Sequence, residues 1–150
     1  MCKLVGVSIY NGAQIDVAGI KKDAIKNIIE SASLCPNIDA IVLFGSSLEE
    51  RCTADSDIDI AIISKKTVSA LSQLKSFKKF MDMVYLFDMS QEYDRLYFKS
   101  IEDIEQKMDK QQICKEIVSK GKIIGGSNNA LHFEIRFGGK KVPPLAYLPE

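Results

Sequence analysis

The stretch LFGSSLEERCTADSDIDI, residues 43–60, decides how the rest of the chain is read. It begins in one continuous apolar run, DAIVLF at 39–44, and ends in another, DIDIAII at 57–63. Runs of this length bounded by turn residues suit strands that are covered on both faces. Gly45 closes the first run, and residues 46–52 read as a short helix leading to the second. Side chains alternate across a strand, so Asp57 and Asp59 point one way while Ile58, Ile60 and Ile62 point the other. Two such positions lie about 7 Å apart at Cα, close enough for carboxylate oxygens to converge on hard cations such as magnesium. A bare Asp-x-Asp is commonly a solvent-facing polar edge, but this strand is otherwise aliphatic. Like charges on one sheet face destabilise it, and a divalent ion reverses that sign. Gly45-Ser46 complements the acids: glycine lets a phosphate approach the backbone. The first N–H groups of the following turn, with the serine hydroxyl, can bind phosphate oxygens.

Working outward, residues 3–10 read as a strand, Asn11-Gly12 as a hairpin turn, and Ile15 and Val17 as a short return strand. Residues 20–33 carry Ile20, Ala24, Ile25, Ile28, Ile29 and Ala32 at helical spacing, one buried stripe. Residues 67–80 repeat that pattern with Val68, Leu71, Leu74, Phe77 and Phe80. MDMVYLF at 81–87 reads as a third strong strand. Tyr93, Leu96, Tyr97, Ile101, Ile104 and Met108 mark one face of a long helix, continued or followed by Ile113, Ile117 and Val118. Gly121 stops it, and Lys122-Ile123-Ile124 adds an edge strand. Leu131, Phe133, Ile135 and Phe137 alternate with His132, Glu134 and Arg136, a half-exposed strand in a tail punctuated by Gly138-Gly139 and Pro143-Pro144. The order predicts an α/β (α+β) sandwich, a small mixed sheet with helices mainly on one face. The expected division is a domain over 1–126, with its hairpin at 1–19 and core at 20–125, and a tail over 127–150.

Charge and composition narrow the function. Twenty basic residues balance twenty acidic ones in 150, so the formal net charge is zero. That argues against a protein that lives by gripping nucleic acid. Cys2, Cys35, Cys52 and Cys114 form no C-x-x-C pair and there is one histidine, which excludes the usual zinc patterns and favours reduced thiols. No signal-peptide pattern and no apolar run approaching the ~20 residues of a membrane span is present, so a cytoplasmic location is expected. His132 reads as a surface residue, Tyr93 and Tyr97 as helix packing, and Gly125-Gly126 as a joint.

Gly45-Ser46, ten residues, then Asp57-x-Asp59, set between two strands, resembles the nucleotidyltransferase superfamily related to DNA polymerase beta. It looks most like its minimal members, which are often paired as antitoxins with a helical HEPN-domain partner. The resemblance covers roughly residues 20–125. It implies ATP or another nucleoside triphosphate as substrate and two magnesium ions bound by Asp57 and Asp59. A third acid comes from a later strand after an intervening helix. Asp82, at the start of MDMVYLF, takes that place, with Asp88 as competitor and turn residue. Gly45, Ser46, Ser47 and Arg51 would contact the triphosphate. The family often places a small residue, Arg and Gly soon after Gly-Ser, where this chain has Leu48-Glu49-Glu50 with Arg51 two positions late. Arg51 either reaches triphosphate or pairs on the surface with Glu49 or Asp55.

The implied reaction is in-line attack of a hydroxyl on the α-phosphorus. Minimal members carry no acceptor domain and modify a protein partner, often by AMP transfer to tyrosine. Two other readings stand beside it: a small-molecule, antibiotic-type enzyme completed by a homodimer, and a binding module that neutralises its partner by contact alone.

Overall fold

The computed structural model describes residues 1–127, so the expected strand at 131–137 and His132 lie outside the described residues. Strands β1 (Leu4–Ser8) and β2 (Gln14–Ala18) form an antiparallel hairpin. Gly12 takes φ 83° at its tip, where Asn11 Oδ1 accepts from the Ala13 N–H at 3.0 Å. A 3-10 turn at Gly19–Lys21 leads into α1 (Lys22–Ala32). Then follow β3 (Ala40–Phe44), a second 3-10 turn (Gly45–Leu48), β4 (Ile58–Ile63), α2 (Val68–Gln73) and α3 (Lys75–Phe87). The described chain closes with β5 (Tyr93–Phe98), α4 (Ile101–Gln106), α5 (Gln112–Lys120) and β6 (Lys122–Gly125).

The main sheet has the order β5-β4-β3-β6. β4 runs antiparallel to β3 and parallel to β5, so the sheet is mixed, as expected. Every residue of β3 is buried, which is why it reads as an unbroken apolar run. One face carries Ile41, Leu43, Ile58, Ile60 and Ile62 against α1, α2 and α3. The other carries Val42, Phe44, Ala61 and Ile63 against the shorter α4 and α5. The hairpin adds Val7 and Val17 to the first core. It is stitched on by Cys2 N–H to Glu50 O at 2.7 Å and Tyr10 N–H to Ile124 O at 3.2 Å. Among the described residues no helix is long and apolar enough to cross a membrane. All four cysteines are unpaired, three of them buried.

Two elements differ from the sequence reading. MDMVYLF is not a strand but the second half of α3. Phe77, Phe80 and Val84 are its buried residues, spaced three and four apart, with Met81 and Tyr85 packed beside them. The helical period therefore runs straight through residue 80. The break falls earlier, at Leu74, whose extended backbone separates α2 from α3. The predicted long helix from Tyr93 is likewise β5 followed by α4. Tyr93 and Tyr97 stand four apart, a spacing that one strand face and one helix face share, so their position could not separate the two. Ser100 then caps α4, accepting from the Asp103 N–H at 3.0 Å. Ser-x-x-Asp is a helix-start pattern within the sequence. Smaller differences follow: residues 46–52 form only a 3-10 turn over Gly45–Leu48, and Ile20 and Val68 are exposed.

Candidate active site

Three local features bring the site together. In the β3–β4 pair Phe44 stands opposite Asp59, so Gly45 leaves β3 directly beside that carboxylate. In the β4–β5 pair Asp59 stands opposite Asp94. Paired residues project to the same face of a sheet, and the two carboxyl groups are within hydrogen-bonding reach of each other. Asp57 lies one residue before β4, and its charge acts on Asp59.

Gly45 has φ +76°, and a Cβ built there would overlap the Asp59 carboxylate. Its missing side chain is thus the space in which Asp59 sits. Replacing Gly45 by Ala is expected to cost at least about 2 kcal/mol, from the left-handed backbone and from displaced Asp59. Denaturant unfolding measures the loss. Adding Asp59→Gly to Gly45→Ala is expected to recover the steric share, a non-additive pair.

Asp59 is pushed up to about 7. Burial is the main cause, followed by the hydrogen bond to Asp94 and by the charges of Asp94, Asp57 and Glu116. A cation among the carboxylates would act against all of these causes by favouring the ionised form. Among the described residues no three acidic, thiol or imidazole groups close a cage around one ion. Magnesium does not need one, since it keeps waters and phosphate oxygens and takes one or two carboxylates. The donor set, all hard oxygen, fits that ion.

The structure places the sequence-predicted residues unequally. Asp57, Asp59, Gly45, Ser46 and Ser47 come together at one end of β3 and β4. Ser46 and Ser47 are buried, and the Ser47 hydroxyl has no hydrogen-bond partner among the described residues. Arg51 is exposed and donates through Nε to Glu49, a surface pair. Asp82 lies exposed in mid-α3 and is not among the groups that act on Asp59. Asp88 follows α3 directly and opens the turn after it, its carbonyl accepting from the Gln91 N–H at 3.1 Å. It accepts from Ser90 N–H at 3.0 Å and from the Ser90 hydroxyl at 2.6 Å, which together hold its carboxyl below the usual range. Tyr93 packs edge-on against Tyr85 at 5.2 Å, and Tyr97 packs against Phe77.

Sequence reasoning missed Asp94, and with it the neighbours on α5 and β6. A cavity of about 530 Å³ opens beside Gly45. The hairpin supplies Gln14, Ile15 and Asp16, the turn Leu48 and Glu49, and the α5–β6 junction Lys120 and Lys122. Lys120 is one helical turn beyond Glu116, on the same side of α5. Reading YDRLYF as alternating, with Asp94, Leu96 and Phe98 on one face, would have found the acid.

The family model described as Polymerase beta, Nucleotidyltransferase matches residues 24–130. The hairpin lies before the matched region. No curated protein shows a match to the chain.

Proposed function

The chain belongs to the polymerase beta nucleotidyltransferase family, and on that premise we propose that it transfers AMP from ATP to a hydroxyl of a partner protein. The observation that carries this reading is the Asp59–Asp94 pair, in register across two parallel strands, with Asp59 against Gly45. Asp57, Asp59 and Asp94 would between them hold the two magnesium ions, one or two carboxylates to an ion, with Asp94 in the place the sequence reading gave to Asp82. Bound magnesium supplies charge neutralisation on the triphosphate and a more acidic acceptor hydroxyl.

The chain's own groups do the rest. Asp94 is the most exposed of the three carboxylates and can take the proton of an incoming hydroxyl. Backbone N–H groups at Gly45 and Ser46, with the Ser46 hydroxyl, hold β- and γ-phosphate oxygens. Lys120 and Lys122, across the cavity, face the charge that grows on departing pyrophosphate. Glu49 opposes them there, but Arg51 already engages it.

A small helical protein of the HEPN type, modified on a tyrosine in an antitoxin role, is the partner that the family likeness favours. The test is incubation with magnesium and ATP labelled at the α-phosphate, in extract of the host cell. One labelled protein band is expected, and none with label at the γ-phosphate. Label from the γ position, or label only on small molecules, would overturn the reading.

A further inference from the structure

We propose that Lys21 and Gln91 are positioning residues for the magnesium-binding carboxylates. They form a buried ammonium–amide pair that locks the loop before Asp57 onto the segment before Asp94. The proposal rests on the metal-dependent reading above.

Lys21 is 2% exposed, rare for a lysine, and lies before the region matched by the family model. Its Nζ donates to Gln91 Oε1 at 2.6 Å and to Ala54 O at 3.1 Å. Both acceptors are neutral oxygens. Gln91, also buried, donates through Nε2 to Ser56 O at 3.1 Å and to Glu92 O at 2.7 Å. The orientation of that amide is dictated by chemistry. An ammonium can only donate and a carbonyl can only accept, so the oxygen faces Lys21 and the nitrogen faces the two carbonyls.

The consequence is geometric. Lys21 is held at the entrance to α1, which is packed into the core. From there one side-chain pair reaches Ala54 and Ser56 on one loop and Glu92 on the other. Asp57 is the next residue after Ser56, and Asp94 is two beyond Glu92. The Ile58 N–H to Glu92 O bond at 3.0 Å begins the β4–β5 pairing at the same point. Within the loop, the bonds between Thr53 and Ser56 are local ones: Thr53 N–H to Ser56 Oγ at 2.9 Å and Ser56 N–H to Thr53 O at 3.1 Å. The buried pair thus supplies a long-range restraint that local turn bonds cannot. Groups that orient metal ligands without touching the ion typically change metal affinity 10–100-fold when removed.

The experiment uses manganese as the ion, with free Mn²⁺ read by electron paramagnetic resonance on wild type, Lys21→Met and Gln91→Glu. Gln91→Glu keeps size and the contact with Lys21 but loses both donors to Ser56 and Glu92. Each variant is expected to bind Mn²⁺ about tenfold more weakly while circular dichroism shows a folded protein. Transfer activity should recover at saturating ion. Variants that melt earlier but bind Mn²⁺ like wild type would reduce the pair to stabilisers and overturn the proposal. Failure of both to fold would overturn it too. Wild type that binds no Mn²⁺ would instead remove the metal-dependent reading itself, and this proposal with it.

Discussion

Asp94→Asn is expected to lower nucleotidyl transfer by at least about a thousandfold, while Asp82→Asn leaves the rate within about twofold of wild type. Both residues are exposed, so neither change opens a cavity. Asn at 94 keeps a hydrogen bond to Asp59 but loses the charge that would bind the ion and the base that would take the acceptor's proton. Asp82, on α3, lies on the exposed side of a helix whose buried residues are Phe77, Phe80 and Val84. Steady-state release of pyrophosphate from ATP measures both. An inactive Asp82→Asn with a working Asp94→Asn would reverse the assignment of the third acid.

Asp59→Asn is expected to do two opposite things: abolish transfer, and stabilise the metal-free protein above neutral pH. Its carboxyl, ordinarily near 3.8, is raised to about 7 by burial and by the neighbouring carboxylates. Between those values the folded chain binds more protons than the unfolded chain. Stability is therefore full below the lower value and falls as pH rises through the upper one. That rise corresponds to roughly 4 kcal/mol unscreened. Asp59 is partly open to solvent, which screens that figure, so about 1–2 kcal/mol is the expected loss between pH 4 and pH 8. Chelator-treated wild type should show that loss in denaturant unfolding, and Asp59→Asn should lack most of it. Magnesium at pH 8 should raise the melting temperature of wild type and not of the variant, since an ion stabilises the state that binds it. A wild-type stability that is flat over this range would mean Asp59 titrates as an ordinary surface carboxylate.

The placement of these acids separates what periodicity can convey from what it cannot. β3 and β4 are central strands buried on both faces, so their apolar runs and the turn between them are legible locally. The same holds for the Asn11-Gly12 hairpin, for α1, and for β6 after Gly121. β5 is an edge strand carrying Asp94 and Arg95 within YDRLYF. Its aromatic spacing of four satisfies either period. The apolar run at 81–87 is helical because its residues complete a face that begins at Phe77, not because of anything within the seven residues.

The sequence alone determined the Gly45-Ser46 turn, the Asp57-x-Asp59 pair and the sheet core they belong to. Those features depend on neighbours in the chain: a turn residue, an alternation, a run bounded by breakers. Only the tertiary structure decided the pairing of Asp94 with Asp59, the lysines at the cavity and the buried Lys21–Gln91 tie. Each is set by which strand lies beside β4 and which helix covers it, and pairing between segments tens of residues apart leaves no periodic mark on either one.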